Sequence, residues 1–119
     1  MKWRDIPRHS DVFAVSTLVE ETGFFSTEER QVAAELVEET LARGSASGYE
    51  FVFVDAPDKA ERLLAYACFG PIPATLSSYD LYWIAVIPSQ QGSGLGGKLL
   101  REVERRAHAT GGTQMYLDT

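Results

Sequence analysis

One stretch of the sequence decides the fold: residues 84–100, which read IAVIPSQQGSGLGGKLL. It begins inside an apolar extended segment, Asp80 to Ile87, and Pro88 ends that segment because proline has no N–H to donate. A glycine-rich turn follows from Gln91 to Gly97, and leucines then recur at helical spacing. A strand, a glycine-rich turn and a helix therefore follow one another, and the apolar strand is expected to be central and buried.

The glycines give this turn a chemical use. Glycine lets the main chain turn sharply and approach a ligand closely, because it has no Cβ. The N–H groups in the first turn of the helix have no helical acceptor, and the helix dipole adds positive potential there. These features predict an anion site suited to a pyrophosphate, with Lys98 close enough in sequence to add charge. The alternative is a turn that only packs the helix against the strand.

Two common phosphate-binding loops do not fit the turn. A Walker loop needs Ser or Thr after its Gly-Lys pair, whereas Gly97-Lys98 is followed by Leu99. Residues 92–97 match the bare dinucleotide-binding pattern G-x-G-x-x-G. However, residues 88–90 separate the strand from the turn, and the chain is too short for that domain.

The rest of the sequence predicts two helices and three more strands around this unit. Ser10-Asp11 is expected to cap the first helix, which Gly23 ends. Ser26 with Glu29 forms the better capping box for the second helix, although Thr27 is an alternative cap. Alternating and β-branched residues predict strands over residues 49–54, 62–69 and 114–118, and a third helix spans residues 94–110.

The predicted order is ααβββαβ, which makes the fold class α/β (α+β) with a mixed sheet. A right-handed crossover through the third helix would make the strands at 80–87 and 114–118 parallel. We expect these two strands to pair near the glycine-rich turn. The segment 49–69 reads as an antiparallel hairpin, with a turn at residues 56–59.

Length and charge limit the possible partners. A chain of 119 residues is expected to form one domain. Its net charge of −6 repels phosphate backbones, so we expect no nucleic-acid partner and a preference for cationic ligands such as amines. No apolar run reaches about 20 residues and the start lacks a signal peptide, so no membrane partner and a cytoplasmic location are expected. With one cysteine and two histidines, we expect no metal site.

Residues 84–100 closely resemble the acetyl-CoA-binding motif of the GNAT acetyltransferase superfamily. The core of that motif is Gln or Arg, two residues, Gly, one residue, then Gly or Ala, and here these positions are Gln91, Gly94 and Gly96. The V-x-P that often precedes it corresponds to residues 86–88. The predicted order of elements is also similar to the family over nearly the whole chain, whereas the specific motif covers only residues 84–100.

The resemblance implies an acetyl-CoA-dependent N-acetyltransferase that transfers the acetyl group directly to a primary amine of a small molecule or peptide. Pantetheine would bind the strand edge at Ile84, Ala85 and Val86, and this strand would be bulged and splay from the next one. Main-chain N–H groups of the strand would stabilise the oxyanion, and a base would remove the ammonium proton. The pyrophosphate would bind at the turn and helix start: Gln91, Gly92, Ser93, Gly94, Leu95, Gly96, Gly97 and Lys98.

The sequence departs from the family pattern at its C-terminus. Family members continue with another helix and two strands, and that helix carries a tyrosine that protonates the leaving thiolate, whereas this sequence ends at Thr119. Tyr116 lies on a different element and is not assigned that role. We therefore expect one C-terminally incomplete GNAT-like domain over residues 1–119. It would have weak turnover alone and form a homodimer or bind a companion chain that covers the exposed strand edge. The alternative function is a truncated, non-catalytic acyl-CoA-binding or interaction module.

Five further residues are candidates for the acceptor side of the site. Asp80 is the candidate base or amine-binding carboxylate, with a turn-capping role as the alternative. Tyr82 is a candidate catalytic residue and would line the acceptor pocket with Trp83, although both also suit a core. Phe24 and Phe25 fall where the family has its substrate-facing loop, and adjacent aromatics cannot easily both face one core. Cys68 is expected to be a buried, inert thiol.

Overall fold

The computed structural model describes residues 2–59, 61–71, 78–109 and 114–117. Five strands and three α-helices are present in this part of the chain. In order they are β1 (Lys2–Arg4), α1 (Ser10–Thr22), α2 (Thr27–Arg43), β2 (Glu50–Asp55), β3 (Leu63–Pro71), β4 (Ser78–Val86), α3 (Leu95–Ala109) and β5 (Gln114–Leu117). Short 3₁₀ turns lie at Gly44–Ser47 and Pro88–Gln90. The predicted end of the third helix at residue 110 and the predicted end of the last strand at residue 118 lie outside the described residues.

The strands form one mixed sheet in the order β1-β2-β3-β4-β5. All neighbours are antiparallel except β4 and β5, which are parallel. The mixed sheet, the β2–β3 hairpin and the parallel pair joined through α3 are confirmed. The predicted order ααβββαβ lacked β1, so the observed order is βααβββαβ.

Strand β1 is held by its contacts with distant parts of the chain. The guanidinium of Arg4 bonds both carboxylate oxygens of Asp55 on β2, at 2.7 and 2.8 Å. It also bonds both carboxylate oxygens of Asp11 on α1, at 3.0 and 2.9 Å, and lies 4.9 Å from the centre of the Phe53 ring. A three-residue strand held by such contacts has no hydrophobic period, so no pattern in the sequence predicts it.

The two helix starts differ in how they are capped. The Ser26 capping box is confirmed, since Ser26 Oγ accepts from the Glu29 N–H at 3.1 Å and the Glu29 carboxylate accepts from the Ser26 N–H at 2.9 Å. The expected Ser10-Asp11 cap is wrong. Asp11 is buried inside the first turn of α1 and accepts instead from the N–H of Arg8, at 2.8 Å, and from Arg4. Its carboxylate therefore ties α1 to β1.

The buried central strand is β3, whose residues 63–70 are all buried. The expectation that residues 80–87 would form the central, buried strand is wrong: β4 is fourth in the sheet, its residues 82, 83 and 86 are half-buried, and Ile84 is 36% exposed. The reason is that β5 covers only part of β4. Pairing runs from Ser78↔Gln114 to Leu81↔Leu117. This is the end of β4 away from the glycine-rich turn, so the expected pairing near the turn is also wrong.

The helices lie on opposite faces of the sheet. Phe25, between α1 and α2, contacts Trp83, whereas Gly96 of α3 approaches Val86. Trp83 and Val86 alternate along β4 and therefore point to opposite faces. The sheet is thus covered by α1 and α2 on one side and by α3 on the other.

Candidate functional site

Strand β4 has an edge just before the glycine-rich turn that no described strand covers. The N–H of Ile87 donates to the Leu64 carbonyl of β3 at 2.8 Å. Because antiparallel pairs alternate between bonded and non-bonded positions, the N–H and C=O groups of Ile84 and Val86 point away from β3. The described pairing with β5 ends at Leu81. A short extended ligand can therefore bond to β4 at these two residues.

A β-bulge interrupts β4 in its middle. Cys68 of β3 is opposite Trp83, but the next residue, Phe69, is opposite Leu81, so Tyr82 is the extra residue. A bulge changes the alternation of side chains. Tyr82 and Trp83 consequently both lie on the face covered by α1 and α2. The bulge and the incomplete β4–β5 pairing agree with the strand geometry that the family resemblance implied.

Two pairs of aromatic rings meet at the bulge, and the Asp80 carboxylate lies near one of them. Trp83 contacts Phe25 with ring centroids 5.1 Å apart, and Tyr82 meets Tyr49 edge to face at 5.7 Å. Burial and the nearby Asp80 carboxylate raise the pKa of Tyr82. Asp80 itself is half-buried and has no hydrogen-bond or ion-pair partner within the described residues. A carboxylate that has no partner within the described residues and lies near the Tyr82 phenol can accept a proton from, or bind, a cationic group.

The structure separates the candidate residues of this region. Asp80 lies inside β4, two residues after its start at Ser78. Residues 72–77, which precede this strand, lie outside the described residues, so the turn-capping alternative stays a prediction. Phe25 packs against Trp83 and the core, whereas Phe24 is 79% exposed, so the two adjacent aromatics do face different surroundings. Cys68 is buried, as expected, and burial raises the pKa of its thiol. Tyr49 was not singled out in the sequence, because its contact with Tyr82 depends on sheet register.

The glycine-rich turn leaves several N–H groups without an acceptor. Gly92 and Gly94 have φ values of +85° and +89°, a conformation that other residues adopt only with strain. The turn itself uses the N–H groups of Gln91 and Ser93, which donate to carbonyls at 3.2 Å. Within the turn and the first turn of α3, as far as the structure describes them, four N–H groups have no acceptor: those of Gly92, Gly94, Gly96 and Gly97.

These free N–H groups suit a pyrophosphate, because they lie around the start of α3 and belong to glycines, which have no side chain to keep the ligand away. The first helical bond, from the N–H of Lys98 to the Gly94 carbonyl at 3.1 Å, begins only after them. The side chain of Gln91 donates to the Val86 carbonyl at 3.2 Å and so connects the turn to the free edge of β4. The residues present therefore fit the phosphate and amide groups of a CoA thioester.

Comparison with known proteins identifies the family of this site. The model of the Acetyltransferase (GNAT) family matches residues 15–119. The chain belongs to the GNAT family of acetyltransferases. A GNAT-family protein from Desulfovibrio desulfuricans is 47% identical, with a TM-score of 0.94 over 99% of this chain and 72% of that chain. Comparison with proteins of curated function found no match.

Two more distant solved structures share the GNAT fold. A GNAT acetyltransferase from Brucella melitensis in complex with acetyl-CoA is 22% identical, with a TM-score of 0.70 over 98% of this chain and 75% of that chain. An aminoglycoside 6′-N-acetyltransferase complexed with coenzyme A is 19% identical, with a TM-score of 0.73 over 100% of this chain and 62% of that chain. GNAT enzymes use acetyl-CoA as acyl donor, which confirms the predicted cofactor and the acyltransferase class.

Other features of the described residues lie apart from this site. A cavity of about 650 Å³ is at the start of β2 between the C-terminal ends of α2 and α3, and its lining includes Glu50 and Arg106. Among the described residues no helix is long and apolar enough to cross a membrane. The same residues contain no group of three or more His, Cys, Asp or Glu side chains that could hold a metal ion.

Proposed function

We propose that this GNAT protein transfers an acetyl group from acetyl-CoA to a primary amine of a small molecule or peptide. The observation that carries the proposal is the free edge of β4, which leads directly into a turn with four unpaired glycine N–H groups. Acetyl-CoA supplies the activated acyl group when bound. The protein's own residues hold the donor, bind the amine and move its proton.

The donor would be held mainly by the main chain. The unpaired N–H groups of Gly92, Gly94, Gly96 and Gly97 would donate to the pyrophosphate, helped by the α3 dipole. The amides of pantetheine would bond to Ile84 and Val86 as a neighbouring strand does, next to Ala85. Gln91, Ser93 and Leu95 would shape the turn, since their own N–H groups are used within it.

The acceptor amine would bind on the α1–α2 face of the bulge. Asp80 is the proposed group that binds the ammonium and accepts its proton, because it is half-buried and unpaired within the described residues. Tyr82 stays protonated at neutral pH, since its pKa is raised, and its phenol can donate a hydrogen bond. Trp83 and Phe25 would form the apolar wall, with Phe24 exposed at its edge. The net charge of −6 favours a cationic acceptor.

Calorimetric titration with acetyl-CoA tests the donor site. We expect a dissociation constant on the order of micromolar for the native chain, and no measurable binding for Gly94→Glu, which puts a side chain and a negative charge in the phosphate cradle. Gly44→Glu is the matched control, because Gly44 also has a positive φ and open space around it but ends α2. Unchanged affinity in a folded Gly94→Glu protein would show that the turn is not the donor site.

An amine-dependent assay of thiol release tests the transfer itself. We expect Asp80→Asn to lower turnover by about 10²–10⁴-fold while the affinity for CoA changes little. Asp58→Asn, in an exposed turn, is the control. Donor binding without any turnover across a panel of amines would favour the alternative function, a non-catalytic acyl-CoA-binding or interaction module.

The edge of β5 supports a proposal about assembly. Among the described strands β5 is last in the sheet and pairs only with β4. An open strand edge is a template for another chain, so we propose that a second copy, or a companion chain, pairs there. Light scattering over a concentration series should show association. A constant monomeric mass at high concentration would rule it out. The expected cytoplasmic location stays a prediction.

A further inference from the structure

A second groove runs along α3 beside the glycine-rich turn. It has a volume of about 370 Å³ and lies between the helix and β1, with a lining formed by Trp3, Lys98, Arg101, Glu102 and Arg105. Lys98 is the first of the α3 residues that line the groove, and it follows directly after Gly97, the last residue of the glycine-rich turn. The groove is therefore close to the phosphate cradle but lies on the β1 side of α3, away from the free edge of β4.

The charges in this groove are divided between paired and unpaired groups. Arg105 donates to both carboxylate oxygens of Glu102, at 2.9 and 2.7 Å, and Arg106 donates at 2.6 Å. The hydrogen bonds from these two guanidinium groups, Arg105 foremost, lower the pKa of Glu102 to about 2 despite its burial. Glu102 is thus an ionised carboxylate whose charge is already neutralised within its own helix.

Lys98 and Arg101 are the unpaired cations of the groove. Both are exposed, and neither has a hydrogen-bond or ion-pair partner within the described residues. One guanidinium nitrogen of Arg101 lies 3.5 Å from the position that a Cβ on Gly97 would occupy. The guanidinium therefore folds back over the first turn of α3, next to Gly97, whose N–H has no acceptor among the described residues. In a chain of net charge −6, two free cations at this point favour a bound anion.

We propose that Arg101 and Lys98 bind the 3′-phosphate of CoA, so that the protein selects CoA thioesters over their 3′-dephospho forms. The inference rests on the proposed function and adds a second phosphate site to it. The glycine N–H groups already supply donors for the pyrophosphate, whereas the 3′-phosphate is a separate dianion on the ribose. A planar guanidinium can bond two phosphate oxygens at once, and the Lys98 ammonium adds a point charge. Trp3 closes the groove on the side of β1.

Titration calorimetry with CoA and 3′-dephospho-CoA tests this site without any measurement of activity. We expect the native chain to bind CoA about tenfold more tightly, through charge-assisted hydrogen bonds to the 3′-phosphate. Raising the salt concentration should reduce this preference, because the site is exposed. Arg101→Gln should lower the preference to about twofold and leave the dissociation constant of 3′-dephospho-CoA unchanged.

Arg105→Gln is the matched control, since it removes the same charge from the same groove at a residue held by Glu102. It should keep the full preference for CoA. Equal affinity of the native chain for the two ligands would overturn the 3′-phosphate site while leaving the donor site intact, and this comparison needs no variant. An undiminished preference in Arg101→Gln would also overturn it. Failure of both ligands to bind would refute the proposed function itself.

Discussion

Replacing Arg4 with methionine removes one guanidinium that connects β1, β2 and α1. The side chain of Asp11 is 1% exposed, and without Arg4 its carboxylate keeps, among the described residues, only the hydrogen bond from the Arg8 N–H. Asp55 is 13% exposed and keeps a longer contact with Arg8, at 3.4 Å. Breaking a buried ion pair from one side costs about 3–5 kcal/mol. Because Asp55 keeps a partner, we expect the lower figure, a loss of about 3 kcal/mol in the free energy of unfolding.

Urea unfolding followed by far-ultraviolet circular dichroism measures this loss, and in a thermal melt it corresponds to about 12 °C for a chain of this size. Arg62→Met is the matched control, because Arg62 forms a 2.8 Å pair with Glu21 in which the two side chains are 38% and 31% exposed. Its loss should stay below about 1 kcal/mol. Equal losses in the two variants would refute the reasoning that burial of Asp11 sets the cost. The double variant Arg4→Met, Asp11→Leu should recover part of the stability, since it removes the unpaired buried charge.

Three further predictions concern single side chains. Burial raises the pKa of the Glu50 carboxyl above its unfolded value of about 4.3. The protonated carboxyl stabilises the fold, and this stabilisation is lost as the pH rises above the unfolded pKa. In thermal melts over a pH series, Glu50→Gln should therefore raise the melting temperature at pH 7 and leave it unchanged at lower pH. A Cβ on Gly70 would collide with the Gly48 carbonyl oxygen, so Gly70→Ala should lower the free energy of unfolding by about 1–3 kcal/mol, measured in urea. The Tyr66 hydroxyl is buried and has no hydrogen-bond partner in the described structure. Tyr66→Phe should therefore raise the free energy of unfolding by about 1 kcal/mol, and a decrease would show that the hydroxyl does have a partner.

Local patterns predicted the elements whose signals lie within a few neighbouring residues. The Ser26 capping box, the end of α1 at Gly23 and the β2–β3 hairpin each depend on one short stretch of chain. The strand-turn-helix unit around the glycines is local in the same way. These features could be predicted because the groups that satisfy one another are close in sequence.

Features set by distant contacts could not be predicted. Strand β1 is held in place by the contacts of Arg4 with Asp11 and Asp55, and no pattern within residues 2–4 predicts it. The apolar residues of β4 suggested full burial, but burial depends on how far β5 extends along it. In the candidate site, the glycine turn could be read directly, whereas the contact of Tyr82 with Tyr49 and the position of Arg101 over Gly97 depend on sheet register and side-chain conformation.

The bulge at Tyr82 divides β4 into two halves, and the alternation of side chains between the two faces of the sheet is shifted by one residue between them. Residues 79 and 81 share the α3 face with residues 84 and 86, so odd positions before the bulge match even positions after it. A deletion of one residue at this point would restore a continuous ladder with β3 and take one aromatic side chain away from the acceptor face. Sequence comparison along this strand must therefore shift by one position at Tyr82, and an alignment gap placed elsewhere in β4 would equate inward with outward side chains.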